Sequence, residues 1–151
     1  VVVPLTDKQE RYAEKLPVLF WVHGGSYQAL GKAVYNTSGI VSMISSRKII
    51  FVSVAYRLGI YGFMSLLDPD FHGNYGLEDV LEGARFLKRN IGAFGGDVKR
   101  ITMAGESAGA AISSILANYE REVALFLLLL LPYTIPAFAG SVLPVLIGQL
   151  Q

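Results

Sequence analysis

The sequence has no cysteine and only two histidines among its 151 residues. The absence of cysteine excludes disulfides, thiolate metal sites and a cysteine nucleophile. Histidine is the side chain most often used as a general base, so two histidines leave room for little base chemistry. No metal site and no cofactor is predicted from this composition.

Charge is also scarce, at 17% of the residues, and 13 Lys and Arg nearly balance 12 Asp and Glu. Without a long run of one sign, the electrostatic footprint of a nucleic-acid-binding protein is missing, and no nucleic-acid partner is expected. The chain opens Val1-Val2-Val3-Pro4, without an initiator Met or a charged leader. We therefore expect it to be part of a longer polypeptide, with any signal peptide outside it.

Apolar runs and helical spacing alternate along the chain in the order strand, strand, helix, strand, helix. This order predicts an α/β fold with a mostly parallel sheet and flanking helices. The predicted strands are 18–22, 49–56 and 100–104, the predicted helices are 77–91 and 107–118, and a glycine turn is predicted at 94–97.

The last part of the chain differs from the rest, because residues 123–151 carry no charge. We therefore divide the chain into a partial domain at 1–122 and an apolar tail at 123–151. The length of the tail would suffice for a membrane span, but Pro132, Pro136 and Pro144 would interrupt a single helix. A membrane segment, a buried segment and a foreign end to a truncated reading frame all remain open.

The segment Gly105-Glu106-Ser107-Ala108-Gly109 lies between a predicted strand and a predicted helix. On so sharp a turn a serine is held in a strained conformation, and the flanking glycines let neighbouring backbone pass closely. The serine oxygen would then project beside the amides of a helix N-terminus, which favour developing negative charge. A simple turn of small residues is the alternative interpretation of this segment alone.

A second glycine turn, His23-Gly24-Gly25-Ser26, directly follows the first predicted strand. Acyl transfer needs donors aimed at a carbonyl oxygen as it becomes tetrahedral, and a glycine-rich loop allows backbone amides to converge there. Two loops with complementary roles in this order favour catalysis over a chance occurrence of either one.

These motifs make the chain resemble the type-B carboxylesterase family, the cholinesterase-like branch of the α/β-hydrolases. The resemblance covers about two thirds of the chain, and its most diagnostic passage is the phenylalanine-glycine-glycine-aspartate run that leads into GESAG. It is carried by LPVLFWVHGG at 16–25, SVAYRLGIYGF at 53–63, GNYGLEDV at 73–80 and NIGAFGGDVKRITMAGESAGA at 90–110.

The resemblance implies a partial α/β-hydrolase fold whose C-terminal part is missing. It also implies that Ser107 is the acylated nucleophile and that the amides of Gly25, Ser26 and Ala108 form the oxyanion hole. Gly24 would complete the turn that aims these amides. Many family members carry a third glycine where Ser26 stands; a serine keeps the amide but is less free at positive φ.

In this family the triad acid and histidine follow the serine, yet both histidines precede Ser107. The only acids after Ser107 are Glu120 and Glu122, which follow it too closely to be the acid of this family. No triad acid and no triad histidine is therefore expected in this chain. For His23 a structural ring is the favoured interpretation over a base, because it belongs to the oxyanion turn. For His72 the favoured interpretation is a solvated or locally hydrogen-bonded loop residue.

Other polar and aromatic residues receive structural interpretations first. Arg57 and Asp97 are expected to tie loops beside the active site, and Glu106 is expected to pair with a cation. Asn36 begins an Asn-Thr-Ser glycosylation pattern, which favours a secreted protein or the endoplasmic reticulum lumen. A set of aromatic side chains either lines a substrate pocket or packs in the core: Trp21, Tyr27, Phe63 and Phe94.

The leading hypothesis is thus a serine esterase whose substrate is a small carboxylic ester. This chain alone is expected to be inactive, because it lacks the base and the acid. The alternative is a non-catalytic esterase-like module used in adhesion or protein interaction. A membrane contact through the tail is a third class, and the oligomeric state is left open.

Overall fold

A computed structural model of the chain describes residues 1–4, 14–34, 37–66, 68, 70–119 and 127–131. Four parallel strands form one sheet, and helices flank it. The strands are β1 (Leu16–Val22), β2 (Ile50–Val54), β3 (Gly96–Glu106) and β4 (Leu127–Leu131); the helices are α1 (Thr37–Arg47), α2 (Gly59–Phe63), α3 (Tyr75–Asn90) and α4 (Ala108–Tyr119), with 3₁₀ turns at Lys32–Val34 and Ile91–Phe94. The predicted α/β fold is confirmed.

The strand order is β2-β1-β3-β4, so β1 and β3 lie at the centre of the sheet. Every strand pair is parallel, and Val22 at the end of β1 is in register with Val54 of β2 and Gly105 of β3. The carboxyl ends of all three strands therefore meet at one edge. In open α/β sheets this is the edge at which ligands bind.

The core lies between the sheet and the apolar faces of α3 and α4. Alternate residues of β1 point into it, and Phe20 is 1% exposed. From α3 the side chains of Val80 and Leu87 are buried at helical spacing, whereas Phe86, which fits the predicted apolar pattern, is 53% exposed. Ile112 of α4 is completely buried.

Helix α1 is absent from the prediction, because its sequence carries no regular apolar stripe. Within TSGIVSMISSR only Ile44 is buried among the side chains that the structure describes. A helix of small polar residues that buries one side chain gives almost no periodic signal. It nevertheless supplies the crossover between β1 and β2, which two adjacent parallel strands require.

The predicted turn at 94–97 is displaced in the structure. The chain turns through the 3₁₀ segment Ile91–Phe94 and Gly95, whose φ is 82°. Gly96 already belongs to β3 and is in register with Leu16, so this strand is 11 residues long instead of the predicted five. The predicted strand 49–56 is shorter in the structure, at Ile50–Val54.

The first part of the predicted tail joins the sheet. Residues 127–131 form β4, and its Leu131 is in register with Glu106 of β3. Residues 123–126 and 132–151 lie outside the described residues, as does Asn36. Among the described residues no helix has the length and apolar character that a membrane crossing would need. The division at residue 122 stays a prediction, although the sheet itself continues to Leu131.

Candidate active site

The sheet register brings the two glycine turns together. Val22 at the end of β1 is paired with Gly105 near the end of β3. The residues two places further along the chain, Gly24 and Ser107, therefore come close to each other just beyond the two strands. A Cβ placed on Gly24 would lie 3.0 Å from the Cβ of Ser107 and 2.8 Å from the carbonyl oxygen of Glu106. The turns are thus in direct contact, and only glycine fits at position 24.

Ser107 occupies the junction between β3 and α4. Its φ of 53° is in the left-handed region, which costs a non-glycine residue free energy and is found at functional sites. Its carbonyl accepts the hydrogen bond of the Ala111 amide at 3.1 Å, so α4 starts immediately behind the serine. The side chain is half-buried. This is the sharp strand-to-helix turn that the sequence predicts.

The two glycines of the motif let backbone pack on backbone. A Cβ on Gly105 would lie 2.7 Å from the amide nitrogen of Ala110, within the first turn of α4. A Cβ on Gly109 would lie 2.6 Å from the carbonyl oxygen of His23. Through Gly109 the helix that follows the serine rests directly on the end of β1, where the other glycine turn begins.

The turn after β1 has three consecutive residues with positive φ: 109° at Gly25, 54° at Ser26 and 62° at Tyr27. The carbonyl of Gly25 accepts the amides of Gln28 and Ala29, both at 3.0 Å. Turns that combine such conformations can direct successive amides into one anion-binding concavity. The turn therefore has a suitable backbone for the predicted oxyanion hole.

Ala108 is the first residue of α4. The first four amides of a helix have no carbonyl partner within the helix, and the helix dipole adds positive potential there. The Ala108 amide is therefore available to an anion beside Ser107. The structure thus places the predicted Gly24, Gly25, Ser26, Ser107 and Ala108 at one edge of the sheet.

His23 is enclosed and serves the turn itself. It is 1% exposed, and its Nδ1 donates to the carbonyl oxygen of Gly24 at 2.8 Å. Its ring stacks on that of Tyr56, with the centroids 4.4 Å apart and the planes at 18°. A ring held on its face and at one nitrogen fits the structural role that the sequence favours.

His72 is engaged on the surface. Its Nε2 lies 3.0 Å from Oε1 of Glu78, and its ring meets the edge of Tyr75 with the centroids 5.0 Å apart. Both the His72 and the Glu78 side chains are about half exposed. The structure therefore gives His72 the local, solvated setting that the sequence favours.

Tyr56 is the residue of this site that the sequence analysis misses. It lies two residues beyond the end of β2, is 7% exposed, and donates its hydroxyl to the carbonyl oxygen of His23 at 2.8 Å. In the sequence it stands as the last apolar residue of a predicted strand, so its hydroxyl gives no separate signal.

Arg57 fastens the segment after β2 to helix α3. Its Nε and Nη2 donate to the two carboxylate oxygens of Asp79 at 2.8 Å each, and its backbone amide donates to the same carboxylate at 2.9 Å. These hydrogen bonds lower the pKa of Asp79 below its usual value and raise that of Arg57. Arg57 also lies over the ring of Tyr75, 5.2 Å from its centroid. The predicted tie is present.

The ion pair between Arg57 and Asp79 predicts a pH dependence of stability. The pKa of Asp79 is lower in the folded protein than in the unfolded chain, where it is about 4. The ionised carboxylate therefore contributes fully to the free energy of unfolding above about pH 4, and this contribution is lost as the pH falls through the folded pKa. The difference in free energy of unfolding between the wild type and Asp79→Asn should be constant from pH 7 to about pH 5 and shrink below about pH 4. Urea denaturation at each pH measures it.

The control for this experiment is Glu82→Gln, which removes the exposed pair that Glu82 forms with Arg85 on the solvent face of α3. Surface pairs of this kind contribute little, so the control should differ little from the wild type at any pH. A difference for Asp79→Asn that stays constant down to pH 2.5 would contradict the assignment.

Asp97 and Glu106 differ from expectation. Asp97 lies at the amino end of β3, at the opposite edge of the sheet from Ser107, so the prediction that it ties loops beside the active site is wrong. There its carboxylate accepts hydrogen bonds from the Lys99 amide at 2.9 Å and from Nε of Arg100 at 2.8 Å, and these bonds lower its pKa.

Glu106 pairs with no cation among the described residues. Its carboxylate lies against Gly24 instead.

An open cleft of about 810 Å³ lies beside the turn that follows β1. Ser26 and Tyr27 form one side, and Ile112 of α4 and Leu77 of α3 contribute to its largely apolar wall. Phe63 also lines it and meets Tyr27 edge to face, with the ring centroids 5.0 Å apart. Of the predicted aromatic set, the remaining two, Trp21 and Phe94, do not line this cleft.

In the described part of the chain no three His, Asp or Glu residues lie close enough together to form a metal site.

Comparison with known proteins relates the chain to one family. The family model described as the carboxylesterase family matches residues 1–127. Gut esterase 1 of Caenorhabditis briggsae is 46% identical over 109 residues, which are 72% of this chain and 19% of that protein. Neuroligin-2 of Mus musculus is 38% identical over 120 residues, which are 80% of this chain and 14% of that protein.

Among solved structures, juvenile hormone esterase from Manduca sexta with OTFP covalently attached matches with a TM-score of 0.66. The two chains are 34% identical, and the match covers 74% of this chain and 21% of the esterase. The chain therefore spans about a fifth or less of the length of these similar proteins.

Proposed function

The chain belongs to the carboxylesterase family, and from that premise we propose that it supplies the nucleophile and the oxyanion hole of a serine hydrolase for small carboxylic esters. The observation that carries the proposal is the contact between Gly24 and Ser107, which joins the two predicted turns at one edge of the sheet. No cofactor and no nucleic acid takes part in this proposed reaction.

In the proposed reaction Ser107 Oγ attacks the carbonyl carbon of the ester. The carbonyl oxygen becomes an oxyanion, which accepts hydrogen bonds from the amides of Gly25, Ser26 and Ala108. When the tetrahedral intermediate collapses, the bond to the alcohol oxygen breaks, the alcohol takes up a proton, and the acyl group remains on Ser107. Water then attacks the acyl-enzyme and releases the carboxylic acid.

A base must remove the proton from Ser107, and a serine without one is a weak nucleophile. His23 and His72 hold other partners in the structure. We therefore propose that the 151-residue chain carries one half of the catalytic machinery and turns over esters negligibly by itself. The triad histidine and acid would come from sequence that corresponds to later parts of its relatives.

The cleft beside Ser26 supports an apolar substrate group. Its wall includes Leu77, Phe63 and Ile112, and Ile112 lies little more than one helical turn beyond Ser107. A substrate whose carbonyl oxygen faces the turn could lay an apolar acyl or alcohol group along this wall.

The second candidate function is a non-catalytic interaction module with the esterase fold. The similarity to neuroligin-2 is the observation that favours it. The presence of Ser107 in the strained turn favours the esterase instead, because a binding module gains nothing from that strain. We also propose that the protein is secreted or enters the endoplasmic reticulum lumen, because Asn36 begins a glycosylation pattern. Contact of the tail at 123–151 with a membrane is a separate proposal.

Covalent capture tests the proposed function. A fluorophosphonate is expected to label the folded chain at one serine, slowly and over hours at pH 9, where hydroxide partly replaces the missing base. Ser107→Ala should reduce labelling to background, whereas Ser26→Ala, which keeps the amide of the turn, should still be labelled. Intact-mass spectrometry follows the adduct, and circular dichroism confirms folding. Equal labelling of the wild type and Ser107→Ala would refute the proposal.

A further inference from the structure

The turn that holds Gly25 and Ser26 is tied at both ends to the segment that follows β2. At its start the hydroxyl of Tyr56 donates to the carbonyl oxygen of His23 at 2.8 Å. At its end the amide of Gly59 donates to the carbonyl oxygen of Tyr27 at 2.7 Å. One short segment thus holds the residue before the candidate amides and the residue after them.

The tie at the start of the turn is the more specific of the two. Tyr56 is 7% exposed, and its ring stacks on the ring of His23 while its hydroxyl reaches the carbonyl of the same residue. His23 Nδ1 in turn donates to the carbonyl oxygen of Gly24. Two successive carbonyls of the turn are therefore fixed through one pair of stacked rings.

Fixing a carbonyl fixes the plane of its peptide. With the carbonyls of His23 and Gly24 both held, the two peptides that carry the amides of Gly24 and Gly25 have little freedom to rotate. The next peptide, which carries the Ser26 amide, starts from this fixed position, and its carbonyl accepts hydrogen bonds within the turn. This matters because Ser26 and Tyr27 both have positive φ, a conformation that persists only when its surroundings hold it. A side chain that contacts no substrate can in this way aim the amides that do.

We propose that Tyr56 is a positioning residue for the oxyanion hole: its hydroxyl holds the His23 carbonyl so that the amides of Gly25 and Ser26 face an oxyanion on Ser107. The inference rests on the proposed function, because it needs Ser107 as the site of the tetrahedral adduct. It assigns Tyr56 a role in anion stabilisation in addition to its place in the core.

The size of the effect follows from what Tyr56→Phe removes. The ring and its stack on His23 remain, while the hydrogen bond to a buried carbonyl is lost. Complete loss of one oxyanion donor typically costs about 10²- to 10³-fold, so loosening two donors without removing either should cost about tenfold.

Binding of butylboronic acid to the full 151-residue chain tests the inference. The boron is expected to accept an electron pair from Ser107 Oγ, whose proton passes to the solvent, and to become a tetrahedral anion, which ¹¹B NMR detects, with one boron-bound hydroxyl in the oxyanion hole. Tyr56→Phe should weaken binding about tenfold. It should also reduce the shifts that the amide resonances of Gly25 and Ser26 undergo on binding. The matched control is Tyr75→Phe, which removes a phenol hydroxyl that reaches the Asp70 carbonyl on the surface, and it should bind like the wild type.

The outcomes separate the inference from the proposed function. If Ser107→Ala binds the boronic acid as the wild type does, the proposed function fails. If binding depends on Ser107 but Tyr56→Phe binds as tightly as Tyr75→Phe, with unchanged Gly25 and Ser26 amide shifts, the positioning role is overturned while the function stands.

A second measurement covers the case in which Tyr56→Phe is too unstable to titrate. A chain with 3-fluorotyrosine at position 56 keeps both the ring and the hydroxyl. Its ¹⁹F resonance should shift when the boronate occupies Ser107, because the hydroxyl is one hydrogen bond away from the turn. A resonance that does not shift at saturation overturns the inference.

Discussion

Hydrolysis of a p-nitrophenyl ester by the 151-residue chain is expected to be slower, by a factor on the order of 10⁵ to 10⁶, than by a full-length esterase relative such as gut esterase 1. Removal of one member of a serine triad can cost as much as removal of all three, because the members act as a unit. What remains in such enzymes is the contribution of the oxyanion hole and substrate binding, about 10³- to 10⁴-fold above the reaction in water.

The physical reason lies in the positions of the two histidines. A base must lie within hydrogen-bond reach of Ser107 Oγ. Nδ1 of His23 is occupied by the Gly24 carbonyl and its ring is covered by Tyr56, while His72 pairs with Glu78 on the surface. Each histidine thus has a partner other than Ser107, and we expect neither to take the proton from the serine.

The measurement is the release of p-nitrophenol at equal concentrations of folded protein, with Ser107→Ala as the background. The wild-type chain should exceed this background by a small factor at most. Turnover within tenfold of the full-length relative, abolished in Ser107→Ala, would contradict the account and would mean that a base acts within this chain.

The second large effect is expected from Gly109→Ala, which should destabilise the fold by about 3 kcal/mol. A Cβ at Gly109 would overlap the carbonyl groups of Val22 and His23, and these are backbone atoms that cannot rotate away. Either α4 must move off the end of β1 or the turn after β1 must open. Both movements separate Ser107 from Gly24.

A matched control for this substitution is Gly92→Ala. Gly92 is exposed in the 3₁₀ segment, and a Cβ placed there meets nothing within 4 Å. The same chemical change should therefore alter stability by only about 0.5 kcal/mol. Urea denaturation followed by circular dichroism compares the two variants, and equal midpoints would show that the close approach at Gly109 does not stabilise the fold.

Much of the candidate site follows from the sequence because local motifs and parallel topology reinforce each other. Gly105, Ser107 and Gly109 define a strand-to-helix turn, and His23-Gly24-Gly25 ends another strand. Once both strands are recognised as parallel, their carboxyl ends must share an edge. The sequence does not give the register, and Val22 opposite Gly105 is what places Gly24 against Ser107.

Features that depend on a single buried or hydrogen-bonded atom escape such reasoning. Helix α1 has only Ile44 to mark its buried face among the side chains described, and the hydroxyl of Tyr56 is hidden within an apolar run. Asp97 is misplaced because β3 begins four residues earlier than its most apolar part, which moves Asp97 to the far edge of the sheet. Tertiary contacts, which have no local pattern, decide each of these.

Peptide mapping of the fluorophosphonate adduct by tandem mass spectrometry tests directly whether Ser107 is the nucleophile. We expect one adduct per chain, located on Ser107, with unlabelled Ser26 and Ser113. Ser113 is a suitable internal reference, because it is fully buried on α4 and its hydroxyl donates to the Gly109 carbonyl. An adduct on any other serine of the folded chain, or none after prolonged exposure at pH 9, would contradict the assignment of Ser107 as the nucleophile.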